Sequence, residues 1–192
     1  MSVAYGNGLW VLGTTNGRIA TSTTCTEWTE IAGTTTGFGA EPVIGAAYGG
    51  IGADAKWVAA GDAGIIATST NGTDWTQLSA RPFEDDDVAI ISVAYGNGKW
   101  IALGSDGRVS TSEDGETWTQ PATILDFGAY TTKVFYGGGL WIAGGANGKV
   151  ATSPDGATWR QISGHGGRLM AAAYGGGRWV LLNNVGSLYY SN

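Results

Sequence analysis

The stretch SVAYGNGKWIALGSDGRVSTSEDGETWTQ, residues 92–120, decides the fold. SVAYG indicates a strand, and the Asn-Gly that follows it is typical of a two-residue hairpin turn. KWIALG and RVSTS indicate two further strands, separated by the turn signal SDG. EDGET makes another turn before WTQ opens a fourth strand. Short strands joined by short turns leave no room for a helix, so this segment predicts a four-stranded antiparallel unit.

The same pattern occurs five times along the chain. A Tyr-Gly pair precedes the first tryptophan of every copy, and four pairs of tryptophans are each 18 residues apart: Trp10/Trp28, Trp57/Trp75, Trp100/Trp118 and Trp141/Trp159, with Trp179 unpaired. The copies span approximately residues 2–44, 45–91, 92–132, 133–169 and 170–192 of a single domain, 1–192. Four strands per copy are typical of a propeller blade. The sequence therefore predicts an all-β, five-bladed β-propeller of four-stranded antiparallel blades.

The last copy lacks its final segment, so we expect a three-stranded last blade. Three alternatives for the last blade stay open. The last blade has an exposed edge, another chain supplies the missing strand, or the sequence is a fragment of a longer array. An exposed edge leaves homo-oligomerisation through the incomplete last blade open.

Composition excludes several classes of function. A net charge of −6 supplies no basic footprint for nucleic acid. No run of 18 apolar residues is present, so we expect no membrane insertion. One cysteine and one histidine allow no disulfide within the chain and no multi-histidine metal site, and no cofactor is implied. The N-terminus lacks a basic stretch followed by an apolar run, so we expect a protein made in the cytoplasm, with association with a virion as a further alternative.

The turn before the fourth strand carries a family resemblance. SEDGETW (112–118) and SPDGATW (153–159) resemble the Asp-box, or BNR repeat, of sialidases and related propellers, with a turn one residue shorter. STNGTDW (69–75) has Asn71 for the aspartate, and STTCTEW (22–28) has lost both the aspartate and the glycine. The resemblance implies that Asp114 and Asp155 cap their own turns and face away from the ligand side. The longer repeat unit is also similar to repeats in bacteriophage tail and other virion proteins.

The nine tryptophans are predicted to be structural, because their large rings suit the wedge between neighbouring sheets. An enzyme is not predicted. Sialidases that resemble these repeats use three arginines, but Arg18 and Arg108 follow the repeat pattern here, and only Arg81 and Arg168 clearly depart from it. The first strands carry no Asp or Glu, so a glycoside hydrolase is the least favoured interpretation.

The connections between copies do not repeat, and such loops carry function on rigid scaffolds. They span residues 31–44, 78–91, 121–132 and 162–169. Their candidate ligand-binding residues are Phe38, Arg81, Phe83, Asp85, Phe127, Tyr130, His165 and Arg168. The phenylalanines are either plugs under their own loops or platforms that stack on a sugar. The acidic run 84–87 is either a solvated cluster or a calcium site. These residues predict binding of a glycan or cell-surface polymer, and the alternative is a structural or protein-interaction propeller.

Overall fold

A computed structural model describes residues 2–84, 87–119, 123–127, 131–162 and 166–190. The strands are β1 (Ser2–Gly6), β2 (Leu9–Gly13), β3 (Ile19–Ser22), β4 (Thr29–Ile31), β5 (Val43–Gly49), β6 (Lys56–Gly61), β7 (Ile66–Ser69), β8 (Thr76–Gln77), β9 (Ile90–Gly96), β10 (Lys99–Gly104), β11 (Arg108–Ser112), β12 (Thr123–Ile124), β13 (Thr131–Gly137), β14 (Leu140–Gly145), β15 (Val150–Ser153), β16 (Arg160–Ile162), β17 (Leu169–Gly175), β18 (Arg178–Asn183) and β19 (Leu188–Tyr190). Single 3₁₀ turns occupy Gly52–Asp54, Asp62–Gly64 and Ala146–Gly148.

These strands form one antiparallel sheet per sequence copy. Sheets 1 to 4 are four-stranded, with the orders β1-β2-β3-β4, β5-β6-β7-β8, β9-β10-β11-β12 and β13-β14-β15-β16. Sheet 5 contains β17, β18 and β19. The all-β class, the four-stranded units and the three-stranded last unit are therefore confirmed for the described residues.

Glycine and asparagine set the two-residue hairpins between the first two strands of sheets 1, 3, 4 and 5. Asn97 and Gly98 have φ angles of 50° and 72°, which are the left-handed values that a type I′ turn requires at both central residues. In sheet 4 the pair is Gly138 and Gly139, again with positive φ at both. The strand that enters the turn is thereby folded straight back onto the strand that leaves it.

The core lies between consecutive sheets rather than within one. Trp57, Trp100 and Trp141 are almost fully buried, and each belongs to a cluster that combines residues of two neighbouring sheets. Each also packs against the tyrosine of its own copy, as Tyr95 does with Trp100 at a ring-centroid distance of 4.9 Å. Because every sheet covers its predecessor, the inner strands β1, β5, β9, β13 and β17 lie side by side in chain order.

One connection contains a short helix that the sequence pattern does not predict. α1 (Gly33–Thr36) lies between β4 and β5, and it ends at Gly37 with φ 84°. The Thr36 hydroxyl donates a hydrogen bond to the Gly17 carbonyl, which ties the helix to the turn between β2 and β3. Four residues are too few to leave a helical period in the sequence.

The first and last sheets each leave an apolar face exposed. Val3 and Tyr5 are the exposed residues of β1, while Leu182 and Leu188 are exposed in sheet 5. Ring closure between the first and last copies, which the sequence analysis expects, is therefore not supported by packing of these side chains. No helix among the described residues has the length and hydropathy needed to cross a membrane.

Candidate functional site

All five inner strands meet around one cavity of about 300 Å³. Its wall includes Ser2 of β1, Gly45 of β5, Ser92 of β9, Lys133 of β13 and Met170 of β17. The first four occupy the same position in their copies, four residues before the glycine of the Tyr-Gly pair. The side chains of Ser2, Gly45 and Ser92 are small, which leaves space at the axis for the longer Lys133 side chain. The cavity lies near the start of the inner strands, at the end of the fold that carries the connections.

Lys133 places a cation in this axial cavity. Its Nζ atom donates hydrogen bonds to the carbonyl oxygens of Ile44, at 3.4 Å, and Ile91, at 3.3 Å. Those carbonyls belong to sheets 2 and 3, so the side chain reaches across from sheet 4. Burial lowers the pKa of Lys133 from its ordinary value. An ammonium group has three donors, and neither carbonyl carries a full charge to neutralise it.

The rest of the wall combines hydroxyls with apolar side chains. The Ser92 hydroxyl accepts a hydrogen bond from the Val134 amide at 3.2 Å. The Ser2 hydroxyl is buried with no hydrogen-bond partner among the described residues, an arrangement that costs free energy unless a ligand or water satisfies it. Val3, Val93 and Met170 supply apolar surface. A carboxylate with apolar flanks matches this combination.

Two other cavities, of about 370 and 390 Å³, lie around the turn that contains Asp114. They are larger, but their walls come from one or two sheets, and their lysines, Lys56 and Lys99, already bond to Glu116 and to the Asp155 carbonyl. Asp114 itself is engaged by its own turn, as described below. The axial cavity is the stronger candidate because five sheets build it and a partly desolvated charge faces it.

The structure corrects the expectation that three phenylalanines form a ligand platform. Phe38, Phe83 and Phe127 are 1%, 0% and 2% exposed, so none offers a free ring face to a sugar. Each ring closes the end of a core cluster beneath its connection. Phe83 packs with Val88 and Trp100. The three rings therefore match the other interpretation given above, in which each phenylalanine is a plug under its own loop.

The other predicted ligand residues are scattered. Arg81 is half-buried and donates a hydrogen bond to the Ala63 carbonyl at 2.7 Å, which supports the 3₁₀ turn at Asp62–Gly64. Arg168 is exposed at the start of β17, where its amide bonds to the Asn184 side chain. Neither lines the axial cavity. Asp85, Tyr130 and His165 lie outside the described residues.

No group of three or more side chains able to hold a metal ion is found in the described part of the chain. The calcium alternative for the acidic run 84–87 therefore gains no support from its two described members, Glu84 and Asp87, which are both exposed.

The predicted structural aspartates accept hydrogen bonds from their own turns. Asp114 Oδ1 accepts from the amides of Glu116 and Thr117, at 2.8 and 2.7 Å, and from the Ser112 hydroxyl. Burial alone raises the pKa of Asp114, but these hydrogen bonds outweigh it and lower the pKa to about 2. Hydrogen bonds from Thr158, Ala157 and Ser153 lower the pKa of Asp155 in the same way.

The tryptophans differ in burial according to their copy. Trp57, Trp75, Trp100, Trp118, Trp141 and Trp179 are buried, Trp10 and Trp159 are half-buried, and Trp28 is 39% exposed. Trp28 follows the turn in which the aspartate and glycine are replaced by Thr24 and Cys25. Its indole still donates a hydrogen bond to the Cys25 carbonyl, as the other turn tryptophans do to their glycines.

Sequence reasoning missed Lys133. One signal was available: Lys133 is the only charged residue in the five inner strands. Its importance depends on the convergence of those strands at one axis, which a single copy of the repeat does not reveal.

No family model matches the sequence, and no curated protein matches it. Solved structures do resemble the fold. YCF48 bound to D1 peptide matches with a TM-score of 0.72 and 14% identity, over 100% of this chain and 62% of that one. The WD40 β-propeller domain of Doa1 matches with a TM-score of 0.65 and 12% identity, over 98% and 62%. The computationally designed Ika8 protein matches with a TM-score of 0.68 and 13% identity, over 98% and 56%.

The chain thus spans less than two thirds of the length of these three structures. At such identities the likeness shows the fold alone. Together with the repeated antiparallel sheets, it shows that the protein is a β-propeller repeat protein.

Proposed function

We propose that this propeller is a non-catalytic protein-interaction module that binds a peptide segment at the axial cavity, with one carboxylate of the peptide on Lys133. The observation that carries the proposal is the position of the Lys133 ammonium, between two carbonyl oxygens of other sheets and facing a cavity that five sheets line. A carboxylate is the complementary group, because a charge-assisted hydrogen bond in a partly desolvated site is stronger than one in water.

The surrounding charge favours a single carboxylate over a polyanion. The chain carries a net charge of −6, which repels an extended run of negative charge. Lys149, which lies close to one connection, is already paired with Asp126 at 3.0 Å. One acidic side chain or a peptide C-terminus, flanked by apolar residues that contact Val93 and Met170, fits the charge and the wall of the cavity.

The fold comparison supports a peptide ligand, because the YCF48 structure is described as bound to the D1 peptide. The glycan alternative has lost its aromatic platform, since the three phenylalanines are buried. We further propose that the five sheets are propeller blades and that the turns at Asp114 and Asp155 are of the Asp-box type, because their aspartates cap the turn backbone. The resemblance to repeats of virion proteins does not indicate which ligand is bound.

The test is a peptide array and a glycan array, each probed with wild type and with Lys133→Met. We expect wild type to retain peptides that carry one Asp, Glu or free C-terminus beside apolar residues, and Lys133→Met to lose at least tenfold in affinity for them. The control is Lys149→Met, which removes a lysine that lies outside the cavity wall and bonds to Asp126.

Equal loss in both lysine variants would contradict the role of the cavity, since it would indicate a general charge effect. Binding to glycans that survives in Lys133→Met would favour the carbohydrate alternative.

A further inference from the structure

The exposed faces of the two terminal sheets are complementary. The leading face, formed by Val3 and Tyr5 of β1, has exposed fractions of 57% and 59%. The trailing face, formed by Gly175, Leu182 and Leu188 of sheet 5, has 40% of Leu182 and 52% of Leu188 exposed. Large apolar side chains at this exposure, grouped on two faces, indicate a contact that the single chain leaves unmade.

The position of Val3 is buried in copies 3 and 4. Val93 and Val134, which correspond to Val3, are 6% and 4% exposed, because the preceding sheet covers each of them. No sheet of the described residues covers Val3.

The trailing face shows the converse. Leu103 and Val109 of sheet 3 correspond to Leu182 and Leu188, and both are buried against sheet 4. No described sheet packs on this side of sheet 5, so its two leucines are exposed.

A tyrosine-to-glycine fit joins each consecutive pair of sheets. The tyrosine of one copy packs on the glycine of the copy before it, so closely that a Cβ atom on that glycine would lie 2.1 to 2.4 Å from a tyrosine carbon: Tyr48 on Gly6, Tyr95 on Gly49, Tyr136 on Gly96 and Tyr174 on Gly137. The fifth glycine, Gly175, has nothing within 4 Å of that position. Tyr5 is the one tyrosine of the series with no preceding glycine.

The charges at the two faces also match. Lys56 and Lys99, each placed directly before the first tryptophan of its copy, reach the turn of the following sheet, where they bond to Glu116 and to the Asp155 carbonyl. Arg178 holds the same position in sheet 5 and is exposed. Glu27 is exposed in the corresponding turn of sheet 1. A sheet 1 that follows sheet 5 would bring these opposite charges to the same side.

We propose that a second copy of this chain docks head to tail, with its leading face on the trailing face of the first copy and its Tyr5 over Gly175. The contact continues the interface that already joins the sheets four times within one chain. It is heterologous, since each copy contributes a different face, and every copy keeps one face of each kind for the next. This inference does not rest on the proposed peptide site, although Val3 borders both the leading face and the axial cavity.

The test is sedimentation velocity over a range of protein concentrations, with wild type, Tyr5→Ala, Gly175→Val and the control Ile51→Ala. Ile51 is 82% exposed on the hairpin between β5 and β6, outside both faces. Both face variants should fold, because Tyr5 is exposed and the space beside Gly175 is open. Circular dichroism and melting at low concentration check this directly.

We expect wild type and Ile51→Ala to associate as concentration rises, and each face variant to shift the association midpoint upward at least tenfold. An equimolar mixture of Tyr5→Ala and Gly175→Val should regain a dimer with a single junction, because one variant keeps its trailing face and the other its leading face. A monomeric wild type would overturn the proposal, as would single variants that associate like wild type or a mixture that stays monomeric.

Discussion

Asn71 and Asp114 occupy the same turn position in successive copies and make the same hydrogen bonds. Asn71 Oδ1 accepts from the amides of Thr73 and Asp74, at 2.9 and 2.8 Å. In the next copy, Asp114 Oδ1 accepts hydrogen bonds from the equivalent amides, those of Glu116 and Thr117. The chain therefore contains its own uncharged version of the turn, which separates the hydrogen-bonding role of the aspartate from its charge.

We expect Asp114→Asn to keep the stability of wild type near pH 7, and Asp114→Ala to lose about 1 kcal/mol as other lost caps do. Thermal unfolding of the two variants beside wild type measures this. A loss in Asp114→Asn as large as that in Asp114→Ala would show that the charge, rather than the caps, holds the turn.

The lowered pKa of Asp114 also fixes the direction of a pH effect. A carboxyl group whose pKa is about 2 when folded and about 3.9 when unfolded stabilises the protein above the unfolded value. That contribution is lost as pH falls from about 4 towards 2. The melting temperature should therefore fall more steeply across this window in wild type than in Asp114→Asn, and parallel curves would contradict the assignment.

Lys133 is expected to lower stability while it serves binding. Because burial lowers its pKa, the unfolded chain binds more protons than the folded one between the folded pKa and the ordinary value of about 10.4. The free energy of unfolding therefore rises with pH in that window. Lys133→Met should lack this rise and should melt above wild type at pH 7, by about 2–4 °C for each kcal/mol recovered. A lower melting temperature would show that the two carbonyl bonds outweigh the burial cost.

Between elements, glycine acts as a socket for the tyrosine of the next sheet. Gly49→Ala places a Cβ atom 2.1 Å from the Tyr95 ring, and such overpacking costs about 1–3 kcal/mol. Gly175→Ala is the matched control, because it has the same strand position with open space beside it. Denaturant unfolding at low concentration should show a loss in the first variant and none in the second. Equal effects would mean that glycine serves the strand rather than the contact.

The connections are anchored by their phenylalanines. Phe83→Ala should cost about 3–5 kcal/mol, since it empties a fully buried site, whereas Phe83→Leu should cost far less. Urea unfolding of both variants tests this. A loss of about 0.5 kcal/mol or less in Phe83→Ala would restore the interpretation of Phe83 as a surface residue.

The elements were predictable from sequence where the information is local. Alternation within RVSTS and glycine at the turns place strands and hairpins correctly, because a turn's φ angles and a strand's two faces depend on neighbours in the chain. The burial of Phe38, Phe83 and Phe127 and the axial position of Lys133 depend on which sheet lies beside which. A repeat pattern gives the order of the sheets but not what a loop side chain meets across them.

At the scale of the whole molecule, each of the five sheets packs on its neighbour in the sequence, with the inner strands side by side in chain order. This geometry explains why apolar residues are exposed at the two ends and buried at the same positions between them. The account therefore assigns the ends to association and the axis to ligand binding.

The central claim is that the Lys133 ammonium receives a carboxylate, and NMR titration of ¹³C-labelled lysine tests it most directly. The chain has four lysines, Lys56, Lys99, Lys133 and Lys149, so Lys133→Met assigns the signal. The ligands are a blocked Leu-Glu-Leu tripeptide and its Leu-Gln-Leu counterpart. We predict that the glutamate peptide raises the pKa of Lys133, because a carboxylate favours the charged ammonium. The signals of the other three lysines should not respond to this peptide, and the glutamine peptide should not change the titration of Lys133. A Lys133 pKa that does not move with the glutamate peptide present would contradict the account.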